Sequence, residues 1–514
     1  MSDNRLVLSH LWRFLRCEYQ KSRLPFLSSL VVGLLCHMYA FTNKLLNHDE
    51  VQSLFMKGGT VDSGRWGLGA LDSIFPNYSM PWIYGILTLL LMAAAVSLIL
   101  RILSVQSPVL QVLLSGAVMA FPSLTGTLTY MFTSNSFALS FLMAVLAVFL
   151  LKKGGIVHAA AALGCMVFSL SIYQSYISVA AGLLVVLLIR RTLQKEDISL
   201  LLRTGVGYVV FLAASLGIYY AATQVVFILK DVTFNSYAAD NMGFSIAGIP
   251  DAVAVAYTSF VRFFTEGFRG LILTGLPQKL HAFCLICGGI LLVLCCIRLK
   301  SLPHILLTVA LVGILPLAIN CMYLFTAADA VHTLVLYGFV CFYGLMAVLT
   351  EEGLLCQGTK WLSLAVANLL TIALALIVIC NTYTANQVWL NLQLRYENAY
   401  GFYSTLISEL HQLPEFDADS RIALIGDYRE PEYYDEQFAF TRQITGSRGF
   451  MPDSYSKERF LEFYMGFPIS FATEKETKAL ATLPQVENMN VYPYYGSIAV
   501  IVNVIVGKLS YTNS

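Results

Sequence analysis

The feature that most limits what this chain can fold into is a series of long apolar runs. They lie at about 24–42, 82–104, 108–124, 134–151, 156–172, 175–189, 204–229, 281–297, 303–325, 332–350 and 361–383. A helix needs about 20 apolar residues to cross the hydrocarbon layer of a bilayer. A large soluble core would explain one or two such runs, but not a series of them. The 514 residues are 57% hydrophobic and only 12% charged, where a soluble domain carries about 25%. Mean hydropathy is +0.69. The sequence predicts a polytopic α-helical membrane protein with about 11 transmembrane helices.

Charge then orients the spans. Arg13, Arg16, Lys21 and Arg23 precede the first. Lys152 and Lys153 follow the fourth, and Arg190, Arg191, Lys195 and Arg203 follow the sixth. Arg298 and Lys300 follow the eighth, and Lys360 precedes the last. All fall on one side if every span is real, and the positive-inside rule makes that side the cytoplasm. Residues 1–23 then form a cytoplasmic segment, amphipathic over 5–20 and suited to the interface. It does not read as a cleavable signal. Residues 24–384 form the transmembrane domain.

Three segments face outward in this topology: loop 43–81, loop 230–280 and residues 385–514. The last has 16 acidic against 10 basic side chains, a net charge of −6. It reads as a small extracytoplasmic α/β domain, with a strand at Arg421–Asp427, a helix in "SKERFLEFYM" and a terminal strand in "SIAVIVNVIV". Most of the 11 cysteines lie inside apolar runs and read as small buried side chains rather than a disulfide framework. Cys284 and Cys287 form a C-x-x-C without evident metal partners. No basic patch points to nucleic acid, and no metal or other cofactor is expected.

The chemistry gathers in the first outward loop. Asp49 and Glu50 stand together after the first span. They could simply cap and begin a short helix. A metal site with His48 is improbable, because adjacent side chains point apart. The loop continues through "SGRWG", where glycines bracket Arg65 and Trp66. Glycine lets backbone approach a ligand, arginine pairs with phosphate, and tryptophan offers a flat apolar face. A third piece, "SLSIYQSYISV", sets Tyr173, Gln174 and Tyr176 at the outer end of two spans. An uncharged polar group such as Gln174 at membrane depth wants a partner.

Taken in order, Asp49–Glu50, "SGRWG", "IYQSYISV" and the terminal "VYPYYGSIAVI" resemble the serotype-converting glucosyltransferase family, with its glucosyltransferase domain and GT-C membrane architecture. The resemblance implies transfer of a hexose, typically glucose, from a polyprenyl phosphate. The acceptor would be a cell-surface glycan or its lipid-linked precursor, as in O-antigen modification, at the outer face of a bacterial plasma membrane. It implies as partners a flippase and a donor-synthesising glycosyltransferase. It also gives the acceptor-activating role to a carboxylate of the first outward loop, Asp49 first and Glu50 second.

Elementary chemistry agrees. The attacking hydroxyl loses its proton as the glycosidic bond forms, and a carboxylate can take it. The leaving group is already a phosphate and needs only cations or donors. Arg65, Arg269, Arg262, Lys279 and Lys230 are the candidates to hold it, and Trp66, Tyr173, Gln174 and Tyr176 to meet sugar or lipid. Tail tyrosines, Tyr433, Tyr434, Tyr492, Tyr494 and Tyr495, could stack on glycan. A single displacement would invert the anomeric centre. The competing readings are a transporter or flippase of lipid-linked glycans, and a glycan polymerase. A transporter would more often carry charges or helix breaks within its spans.

Overall fold

The computed structural model describes residues 7–55, 61–74, 78–241, 243–266, 275–356, 360–411, 420–425, 436–449, 454–468, 470–475, 478, 492–494 and 497–505. Helix α1, Val7–Thr42, breaks at Ser22, whose backbone leaves helical geometry three residues before Pro25. Proline has no N–H to give and crowds the preceding turn. The apolar part, Ser22–Thr42, is long enough to span. Two short helices follow in the first loop, α2 at His48–Gln52 and α3 at Trp66–Ile74. Then come α4 (Pro81–Ile102), α5 (Pro108–Met119), α6 (Pro122–Thr129), α7 (Met131–Lys153), α8 (Ile156–Ile172), α9 (Ile177–Leu193) and α10 (Ile198–Lys230). The second half has α11 (Ser236–Asn241), α12 (Ile249–Thr265), α13 (Leu276–Leu299), α14 (Leu302–Ile319), α15 (Val340–Leu354) and α16 (Lys360–Leu410).

Among the described residues, eight helices are long and apolar enough to cross a membrane, or nine if α5 and α6, bent by 40°, count as one span. Two further expected spans are shorter helices. Helix α8 has 17 residues and α15 has 15. The run 332–350 was apolar for a different reason. Its first part is turns and a single 3-10 turn, Tyr337–Phe339, buried inside the protein. There Ser123 donates to the Thr333 carbonyl (2.6 Å) and Tyr337 to that of Val118 (3.3 Å). Apolar sequence reports burial and does not separate protein from lipid.

The bundle has an inside and an outside. The helix formed by Gln174–Leu193 is 89% buried and lies at its centre, whereas α10 is only 17% buried and presents Leu202, Val206 and Val209 outward. The basic clusters meet at one end. Arg190 pairs with Glu351 (3.0 Å), Arg298 pairs with Glu352 (2.8 Å), and Gln194 donates to Glu352 (2.9 Å). Helices α7 and α9 run from this basic end to the end that carries Asp49 and Glu50. The 23 residues of α7 give it a length of about 34 Å, enough to cross the hydrocarbon layer.

Helix α16 is 51 residues long and runs unbroken past residue 385. Its distal part packs against the first loop. Leu46 and Val51 share one apolar cluster with Ala399, Phe402, Tyr403 and Leu406 of α16, and with Phe460 and Leu461 of the helix Ser454–Phe463. Among the described residues of the C-terminal part, four short strands form one sheet in the order β2-β1-β4-β3, with β1 Ser420–Ile425, β2 Ser470–Phe471, β3 Tyr492–Tyr494 and β4 Ser497–Ile505. Strand β4 runs antiparallel to both β1 and β3, and β2 is parallel to β1.

Candidate active site

Helix α2 sets the two acids on different duties. Its N-cap is Asn47, not Asp49: Asn47 Oδ1 accepts from the Glu50 N–H (2.7 Å). Glu50 is completely buried. Its carboxylate accepts from Lys44 Nζ, from Ser79 Oγ and from the Phe132 N–H (3.1 Å), which opens α7. Burial pushes the Lys44 ammonium below its usual range, and the Glu50 charge beside it opposes that. Glu50 thus ties α2 to α7 and to the loop before α4. Asp49 points the other way. Its side chain is 43% exposed, accepts from the Tyr455 hydroxyl (3.0 Å) and stands 3.6 Å from His48 Nε2. Of the pair, only Asp49 presents carboxylate oxygens to the outside.

Beside it lies a cavity of about 340 Å³, lined by His48, Tyr130, Arg442, Gln443, Ile444, Thr445, Gly446 and Arg448. Most of this lining comes from the tail, nearly 400 residues downstream of the loop. The segment is held from three sides. Thr129 at the end of α6 donates to the Thr445 carbonyl (3.3 Å), Thr333 donates to that of Gln443 (3.0 Å), and Asn391 of α16 donates to that of Ser447 (2.9 Å). Gly446 has φ +81°, and a Cβ there would collide with Thr129 Oγ1. Both the left-handed backbone and the close approach require glycine. Arg442 is half-buried. Burial, with the Arg448 charge behind it, holds it below the usual arginine range. The sequence reading missed both arginines. The signal was present, because "GSRG" brackets Arg448 with glycines as "SGRWG" brackets Arg65.

A second group gathers the residues of "SGRWG" and "IYQSY". The Arg65 guanidinium lies 5.2 Å from the centre of the Tyr173 ring, a cation–π geometry. Its Nε has no hydrogen bond among the described residues. Tyr173 stacks on Phe137 of α7, with centroids 4.5 Å apart. Gln174 donates to the Ser63 carbonyl (3.2 Å) and to Tyr219 (2.8 Å), which in turn donates to the Gly64 carbonyl (3.0 Å). Trp66 donates to Thr223 of α10 (3.2 Å). Gln174 and Trp66 therefore pin the loop to the bundle. Tyr176 is 2% exposed and packs against Phe141, Tyr173 and Tyr337. That ring is surrounded by protein in this structure. Phe137, on which the Tyr173 ring stacks, follows Phe132 by five residues on α7, roughly 7–8 Å along that helix from the Glu50 anchor.

Among the described residues, Arg262, Lys230 and Lys279 form no hydrogen bond or ion pair with either group. Arg262 is exposed and pairs with Glu266 one turn on (2.9 Å). Lys230 ends α10 and Lys279 stands in the first turn of α13, both exposed. Arg269 falls outside the described residues, as do Tyr433, Tyr434 and Tyr495, while Tyr492 and Tyr494 lie on β3.

Searches of curated proteins and of solved structures return no significant match. The family model described as Glucosyl transferase GtrII matches residues 38–343. That range takes in α2, both loop acids, "SGRWG", "IYQSY" and most of the bundle, and it stops short of the tail. It covers more than half of the chain, which therefore belongs to the GtrII glucosyl transferase family of membrane glycosyltransferases.

Proposed function

We propose that this protein moves a hexose, most simply glucose, from a polyprenyl-phosphate donor to a surface glycan or its lipid-linked precursor. The reaction takes place at the outer face of a bacterial plasma membrane, with the N-terminus cytoplasmic and residues 385–514 extracytoplasmic. A flippase and a donor-synthesising glycosyltransferase would supply the donor. The observation that carries this reading is the half-exposed Asp49 carboxylate beside a cavity with two arginines.

In this reading Asp49 takes the proton from the acceptor hydroxyl as that oxygen attacks the anomeric carbon. Tyr455 and His48 orient it. The bond from the anomeric carbon to the phosphate oxygen breaks with its electron pair, so the leaving phosphate gains charge. Arg442 and Arg448 hold that charge, and no general acid is needed. We rank this pair above Arg65 because it shares a cavity with His48, the neighbour of Asp49. Arg65 is the second position for the phosphate. Glu50 builds the loop and takes no proton. Attack from the face opposite the phosphate inverts the anomeric centre.

The test uses membranes containing the protein, polyprenyl-phosphate glucose and the host's surface glycan, with free polyprenyl phosphate followed by mass spectrometry. Release should require Asp49 and should yield inverted product. Absence of release from every polyprenyl-phosphate sugar, or retention in the product, would defeat the reading.

A further inference from the structure

A second cavity, of about 510 Å³, opens at the basic end of the bundle, between the ends of α7 and α9 and the start of α10. Lys152, Arg190, Arg191 and Glu196 line it, three cations against one carboxylate. Lys152 donates to the Arg101 and Ile102 carbonyls (2.9 and 2.7 Å) and to Ser104 Oγ (2.8 Å), capping the C-terminal end of α4. Arg190 is buried and bonded to Glu351 and to the Leu103 carbonyl. Arg191 and Glu196 form a part-exposed pair (2.6 Å). Lys152 is exposed but its three N–H donors are taken by the two carbonyls and Ser104, so it offers charge alone. Arg191 has donors to spare, and Glu196 is the internal anion that competes for it.

The position decides the ligand. Lys152 follows Phe132 by 20 residues on α7, about 30 Å of rise and one hydrocarbon thickness from the Glu50 anchor. The cavity thus lies at headgroup depth in the leaflet away from Asp49. Its α10 wall carries Thr204 and Tyr208, while the opposite face of the same helix presents Val206 and Val209 outward. Basic recesses between transmembrane helices are suited to anionic headgroups.

We propose that this cavity binds a phosphate group, that of an anionic phospholipid, through Lys152 and Arg191. The proposal needs only that the two ends of α7 face opposite leaflets, and it stands or falls apart from the transfer reaction. The test is lipid binding by the delipidated full-length protein, read by native mass spectrometry with phosphatidylglycerol and with phosphatidylcholine. Phosphatidylglycerol should bind preferentially, and the double variant Lys152→Gln, Arg191→Gln should lower its binding about tenfold. Glu196→Gln should raise it, because Arg191 loses its internal partner. That gain decides the matter if the double variant fails to fold. Displacement of phosphatidylglycerol by inorganic phosphate would keep the phosphate site and overturn the lipid as its source. Equal binding of the two lipids, or no change in Glu196→Gln, would overturn the site altogether.

Discussion

The two ends of the bundle are held together by different forces. At the basic end the helices are joined by buried charge. Arg190, Glu351, Glu352 and Arg298 link α9, α15 and α13, and Glu351 also accepts from the Gln106 and Ser107 N–H groups (2.6 and 2.8 Å). At the acid end the tail is seated mainly by neutral hydrogen bonds, from Thr129, Thr333 and Asn391 to backbone carbonyls. Charges locked into ion pairs fix helices but have little left to offer a substrate. Neutral seating leaves Asp49 turned outward and sets Arg442 and Arg448 on a cavity. The exception at that end is Glu50, whose charge is spent on Lys44 and which builds the loop that positions its neighbour.

The sharpest way to break this comparison is Asp49→Asn. If Asp49 is the base, polyprenyl-phosphate release should fall by about 10²- to 10⁴-fold with unchanged thermal unfolding in detergent, because a half-exposed side chain is lost. At the other end Glu352→Gln should do the reverse. Glu352 is 2% exposed and serves Arg298, Gln194 and Arg190. Removing one partner from a buried network costs about 3–5 kcal/mol, so unfolding temperature and yield should drop sharply. The rate per folded molecule should hold. A rate loss in Glu352→Gln without a stability loss would erase the distinction between the ends.

A middle-sized effect is expected for Arg442→Ala with Arg448→Ala. A charge-assisted hydrogen bond contributes about 1.5–3 kcal/mol, so the pair should cost roughly 10²-fold in transfer rate, with stability nearly unchanged. Arg65→Ala is the matched comparison. If it proves the more damaging, the leaving phosphate belongs with Arg65 on Tyr173, and the tail cavity serves the acceptor instead.

How much of this could be read from sequence follows from the range of the interactions. Helical spans show in local composition, so α4, α7, α10 and α13 fall where apolar runs predict them. The stretch 332–339 misled because its apolar residues are covered by protein and not by lipid. The acid pair was visible at once, and adjacency alone says the two side chains diverge. Which one turns inward depends on Lys44, Ser79 and Phe132, and the last two are 29 and 82 residues away from Glu50. Arg442 and Arg448 were overlooked because they reach the first loop only through the fold, across nearly the whole chain. The family match ends at residue 343 and leaves them out as well.

The smallest expected effect gives the finest discrimination. Gly446 at the acid end and Gly154 at the basic end both hold positive φ, +81° and +73°. An L-residue in such backbone costs about 1–3 kcal/mol. Gly154→Ala should therefore lower unfolding temperature modestly, and Gly446→Ala by more. Their surroundings differ. A Cβ at Gly154 meets nothing within 4 Å, whereas one at Gly446 collides with Thr129 and crowds Asn47, the cap of α2. Only Gly446→Ala should then shift the tail off the bundle and disturb both Asp49 and the arginine cavity. Transfer should fall about tenfold or more in Gly446→Ala and stay near wild type in Gly154→Ala, measured on protein matched for folded fraction. Equal activities in the two variants would mean that seating of the tail segment against Thr129 does not govern the site, and the roles of Arg442 and Arg448 would go with it.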